Sequence, residues 1–133
     1  MAEATTGGCL CGDLRYEITG PVSIVANCHC TMCRRASGAP FVTWAVVRRD
    51  AFRFTAGAPA RFASSETCSR LFCPRCGTPL VFEDVSRPDH VDITTGSLDD
   101  PDDLPPERHI WTSAQLHWLR LGDALPRFEE SSM

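Results

Sequence analysis

The spacing of the cysteines constrains this chain more than any other feature. Seven of the eight fall into three tight groups, Cys9-Leu10-Cys11, Cys28-His29-Cys30-Thr31-Met32-Cys33 and Cys73-Pro74-Arg75-Cys76, while Cys68 stands apart. Zinc–sulfur bonds of about 2.3 Å put two thiolates on one tetrahedral ion roughly 3.8 Å apart, a separation that a tight Cys-X-X-Cys turn supplies. Gly12 just past Cys11 and Gly77 just past Cys76 permit the positive φ such turns use. Each pair therefore offers half of a tetrahedron, and Cys9, Cys11, Cys73 and Cys76 together are expected to close one structural site. Cys28, Cys30 and Cys33 can hold a metal on three sides from a single segment, which leaves a position free for chemistry. Three thiolates make such an ion a weak Lewis acid, better at holding or exchanging another thiol than at generating hydroxide.

Other readings attach to the same residues. Cys68 lies five positions before Cys73 and is the candidate fourth ligand that would close the second site as well. Redox chemistry at Cys30-X-X-Cys33 has the right spacing but lacks the βαβ context in which that motif usually occurs. Iron meets the ligand requirements of the four-sulfur site as well as zinc does. His29, flanked by two ligands, is expected to point away from the metal and to make hydrogen bonds. His109 reads as core or pocket lining. Arg34 and Arg35 follow the third cysteine directly and are the candidates for receiving a substrate carboxylate.

Composition narrows the setting. At 133 residues with 43% hydrophobic content, the chain is one domain with an ordinary core. No run approaches the roughly 18 apolar residues of a membrane span, and the N-terminus lacks the basic start and apolar stretch of a signal peptide. A cytoplasmic location follows as the expectation, and there the thiols serve metal rather than disulfides. The formal charge of −4 and the absence of a clustered basic face argue against a nucleic-acid partner. All 13 basic residues are arginine, which excludes lysine Schiff bases and the phosphate-loop lysine.

Local patterns are short and mostly β-like. Leu14, Tyr16 and Ile18 alternate within 13–19, 22–26 forms a short apolar run, and 41–47 reads as a buried strand. Further strands are expected around Phe52 and Phe54, at 70–72, at 80–83 and at 90–94. One helix is expected over 30–35, stopping at Ser37-Gly38, and a second helical turn over 114–119. The stretch 99–107 is a proline- and acid-rich loop.

The ordered run Gly8-Cys9-X-Cys11-Gly12 with Arg15-Tyr16, then Cys28-His29-Cys30-X-X-Cys33-Arg34, then Phe72-Cys73-X-X-Cys76-Gly77 resembles the glutathione-dependent formaldehyde-activating enzyme (GFA) family, which includes centromere protein V. Thr95 to Pro101, His109-Ile110-Trp111, Trp118 and Leu125 to Phe128 extend the likeness. The resemblance implies a mainly β, zinc-stabilised tent of small coiled antiparallel sheets with one short helix after the second cysteine group. It implies a domain over 7–129 between flexible ends at 1–6 and 130–133. It also implies two Zn²⁺ ions, structural at Cys9, Cys11, Cys73 and Cys76 and catalytic at Cys28, Cys30 and Cys33. The implied activity is that of a carbon–sulfur lyase joining glutathione and formaldehyde, with a small thiol as partner. Two departures stand out: Cys68 is outside the family pattern, and the chain is short beside the name-giving enzymes. A non-enzymatic zinc module that binds a small thiol or a protein is the alternative from a different class.

Overall fold

The computed structural model describes residues 4–131, and among these the chain forms ten strands and one α-helix. The hairpin β1 (Thr5–Gly8) and β2 (Arg15–Ile18) pairs with β5 (Phe52–Ala56) in a small antiparallel sheet ordered β1-β2-β5. The larger sheet runs β10-β3-β4-β9-β8-β7-β6, from β3 (Val22–Cys28), β4 (Val42–Arg48), β6 (Ala60–Ala63), β7 (Cys68–Phe72), β8 (Pro79–Asp84), β9 (His90–Thr94) and β10 (Arg108–Ile110). Every pairing is antiparallel except β10 on β3. The fold is thus mainly β, as expected, although one sheet is larger than anticipated and carries one parallel edge.

Alternation assigns the two faces of the large sheet. Leu71, Val81, Ile93, Ala45 and Val25 are in register across five strands and are all buried. On this face Leu71, Val81 and Ile93 pack with Leu14, just before β2, and with Tyr16 and Ile18 of β2, the alternating set read from the sequence, with Phe52 and Phe54 of β5 alongside. The Tyr16 hydroxyl remains satisfied inside the core by a 2.6 Å hydrogen bond with the Ser97 hydroxyl. The opposite face carries Ile24, Val46, Asp92, Phe82 and Arg70, also in register, and these border a cavity of about 740 Å³. One sheet therefore separates the structural core from an open hollow.

The helix α1 (Thr31–Ser37) follows β3 where expected, with Cys30 as its N-cap and Gly38, at φ 73°, as its C-cap. The expected helical turn over 114–119 is displaced, because a single 3₁₀ turn occupies Thr112–Ala114 instead. Thr5 and Thr6 belong to β1, and the Glu130 carbonyl accepts the Trp111 N–H. Residues 1–3 and 132–133 lie outside the described part. No helix among the described residues is long and apolar enough to cross a membrane.

Ile93 is fully buried at the centre of the core row. Ile93→Ala is expected to cost about 2–5 kcal/mol through lost transfer energy and a residual cavity. Urea unfolding of the metal-loaded protein checks this by a lower midpoint at unchanged slope.

Candidate metal centres and cavity

The two hairpin loops that carry the cysteine pairs are built alike. In the β1–β2 loop the Cys9 N–H donates to the Leu14 carbonyl and Gly12 N–H donates back to Cys9. In the β7–β8 loop the Cys73 N–H donates to the Thr78 carbonyl and Gly77 N–H donates back to Cys73. Gly12 and Gly77 hold φ 84° and 81°, a backbone that side-chain-bearing residues resist. The loops meet so that the sulfurs of Cys9, Cys11, Cys73 and Cys76 all lie within 4.8 Å of one another. The Cys9–Cys11 and Cys11–Cys73 sulfur separations are 3.5 and 3.7 Å, close to the spacing on one tetrahedral ion.

Backbone amides complete this site. Leu14 N–H points at the Cys9 sulfur, and Arg75 and Cys76 N–H point at the Cys73 sulfur. Thr78 ties the loops together: its oxygen accepts Leu10 N–H at 3.1 Å while its hydroxyl donates to the Cys76 sulfur at 3.2 Å. That hydroxyl bond heads the causes that bring the Cys76 thiol down to about 5. A set of sulfurs already surrounded by donors suits thiolates, and hence a thiophilic metal.

Cys28, Cys30 and Cys33 form a second cluster with sulfurs within 4.8 Å of one another. Cys28 ends β3, and Cys30 caps α1 by accepting the Cys33 N–H at 3.2 Å. The bond from the Cys28 thiol is the largest influence on Cys30, followed by that from Cys33, and they hold its thiol down at about 2. Cys28 is pushed far up by the same sharing. All three residues border the 740 Å³ cavity. All eight cysteines are free thiols.

Cys68 does not join either cluster. It starts β7, opposite Asp84, and borders the same cavity as the trio. Arg34 and Arg35 do not border it; Arg34 is half-buried and Arg35 exposed. The guanidinium that does reach the cluster belongs to Arg70, whose Nη2 lies 3.7 Å from the Cys33 sulfur and which covers the Phe82 ring at 5.0 Å. Sequence reasoning missed Arg70. Its signal was an arginine at period two from Cys68 within an otherwise apolar strand.

Behind the trio runs a buried polar chain. The Asp123 carboxylate, at the exposed end of this chain, accepts from His109 Nε2–H at 3.0 Å, which turns His109 Nδ1 toward His29. His29 Nε2 shares a hydrogen bond with that nitrogen at 3.0 Å. Asn27 lies 3.5 Å from it, held in place by the Thr43 hydroxyl. Both histidines are fully buried. Burial brings His29 down to about 4, so it is neutral at ordinary pH. As expected, His29 alternates with the cysteines and faces the other way.

The sequence profile of the glutathione-dependent formaldehyde-activating enzyme family matches residues 4–114. The chain belongs to the GFA family. It is 29% identical over 76 residues to an uncharacterized lyase of Schizosaccharomyces pombe, a match covering 57% of this chain and 55% of that protein. The chain therefore spans about half the length of this curated relative. The crystal structure of a Rhodobacter sphaeroides protein superposes with a TM-score of 0.58 at 21% identity, covering 92% of this chain and 98% of that one. That likeness establishes a shared fold for this GFA-family chain.

The buried chain behind Cys28 and Cys30 should matter to the trio alone. His109→Ala removes the hydrogen-bond partner of His29, which lies between Cys28 and Cys30, and is expected to lower metal retention by the trio while that of the four-sulfur set holds. Chelator competition followed by native mass spectrometry reads the two sites separately.

Proposed function

We propose that Cys9, Cys11, Cys73 and Cys76 bind a structural Zn²⁺, and that Cys28, Cys30 and Cys33 bind a second, catalytic Zn²⁺ facing the cavity. On this reading the protein is a carbon–sulfur lyase that joins or separates a small thiol and an aldehyde. The family supplies glutathione and formaldehyde as the first pair to test. One observation carries the reading: all three members of the trio border a hollow large enough for a small molecule. Of the four-sulfur set, Cys9 alone borders a described cavity.

A bound zinc supplies a site for a substrate sulfur or carbonyl oxygen and a positive charge for developing oxyanion character. The remaining work falls to the chain. Its β3–α1 segment holds three sulfurs in a fixed array, and the Cys33 N–H keeps the Cys30 sulfur in place. Arg70 offsets thiolate charge beside Cys33. Trp44 and Phe82, with ring centroids 6.1 Å apart, exclude water from the cavity wall. In the addition direction the sulfur–carbon bond forms as the carbonyl π bond breaks, and the thiol proton ends on the new hydroxyl. Holding the partners together is the main contribution, since oriented reactants need little further activation. Eight free thiols suit a reducing compartment, and the cytoplasm is the proposed location.

Cys30→Ser is expected to keep the fold and the four-sulfur metal, and to reduce turnover to the uncatalysed background. Carbon-13 NMR of the hydroxymethyl thioether, with circular dichroism as the control, tests this. A variant retaining the wild-type rate overturns the reading.

A further inference from the structure

The cavity in front of the trio has a composition that selects among thiols. Its exposed walls are mostly carbon. Trp44, Phe82 and Trp111 supply aromatic surface, with Ile24 and Val46 beside them. Trp111 is held at φ 56° and ψ 38°, a left-handed backbone that costs a bulky residue about 1–2 kcal/mol. Such strain persists only where surrounding contacts enforce it. Here the next turn enforces it, because Ala114 N–H donates to the Trp111 carbonyl and Trp111 N–H donates to Glu130.

The charges facing the cavity are mostly committed. Asp92, in the middle of the apolar row, accepts from Arg87 at 3.1 Å. Burial raises the Asp92 carboxyl above the ordinary range against the pull of Arg87. Asp84 accepts both the backbone N–H and the hydroxyl of Ser86. Arg70 forms no ion pair with a carboxylate among the described residues; it meets only the Cys33 sulfur and the Phe82 face. The cavity thus presents, beside the sulfurs, one cation that no carboxylate pairs, with aromatic surface beyond it and the Asp84 carboxylate and the hydroxyls of Thr31, Ser65, Ser86 and Ser113 also lining it.

Resting on the proposed thiol chemistry at the trio, we propose that the substrate thiol has an apolar, arene-sized body and a single acid group, received by Arg70. Glutathione fits this lining poorly. Against its two carboxylates, its ammonium and its two amides stand one guanidinium that no carboxylate pairs, the Asp84 carboxylate and a few hydroxyls on walls that are mostly carbon. Each buried polar group left without a partner opposes binding. An arene acid leaves none unmatched and can stack on the Phe82 and Trp44 rings.

The test uses the zinc-loaded full chain with four probes: 4-(mercaptomethyl)benzoate, benzyl mercaptan, glutathione and the thiol-free 4-methylbenzoate. Binding is read by calorimetry and by quenching of tryptophan fluorescence. The benzoate thiol is expected to bind at least about tenfold more tightly than glutathione. Arg70→Met should weaken the benzoate thiol roughly tenfold more than it weakens benzyl mercaptan, the effect expected of one charge-assisted contact beyond any shared effect on the sulfurs. Arg70→Lys, which keeps the charge, should recover part of the loss. Glutathione binding as tightly as the benzoate thiol overturns the assigned class while leaving the three-sulfur reading intact. Should no thiol bind, the three-sulfur reading fails, and 4-methylbenzoate still decides the inference. Its Arg70-dependent binding upholds the cavity's preference, and its failure to bind refutes it.

Discussion

Two hairpin loops from different sheets meet at four sulfurs, and the arrangement of the molecule follows from that meeting. The β1–β2 loop belongs to the small sheet and the β7–β8 loop to the large one, so a shared ion at Cys9, Cys11, Cys73 and Cys76 would tie the sheets together at one end. Thr78 also bridges the loops through its hydrogen bonds with Leu10 and Cys76. With the sheets held there, Leu71, Val81 and Ile93 can close on Tyr16 and Ile18. The core is modest, and a tie between distant parts of the chain limits the freedom of the unfolded state as any long-range cross-link does.

The large sheet owes its second role to alternation. Side chains that enter the core alternate with side chains that face the cavity, as Ala45 and Val47 do against Trp44 and Val46, although a register shift lets the consecutive Leu80 and Val81 of β8 both join the core. The same rule divides the metal segment. Cys28 pairs with Ile110 on the cavity side, while Asn27 pairs with His109 on the side of the buried polar chain. The cysteine trio and the polar chain behind it therefore come from neighbouring residues without competing for one space.

The sequence was most legible where chemistry fixes spacing. Cysteine groups announce metal sites because sulfur–sulfur distances on one ion leave little choice, and Leu14, Tyr16 and Ile18 announce a half-buried strand because the pleat has period two. β1 escaped notice because Thr5–Gly8 ends in two glycines, which carry no strand preference. β10 escaped because three residues acquire strand geometry only from β3 on one side and from the His109–Pro126 and Phe128–His109 hydrogen bonds on the other. Arg34 and Arg35 attracted attention by adjacency to Cys33. On a helix, however, residues one and two positions on turn away from their predecessor. Arg70 is distant in sequence and reaches the trio because β7 lies on the cavity face. Proximity of that kind is set by sheet order, which a single sequence does not display.

The polar chain from Asp123 through His109 to His29 has a consequence for how the protein is made. A polypeptide leaves the ribosome from its N-terminus, so both cysteine pairs of the cage are present once Gly77 has emerged. The trio emerges even earlier, yet its buttress does not exist until β10 and the segment through Phe128 have followed. Nascent chains can thus bring the four sulfurs together before the segment that carries the trio gains its buried polar partners.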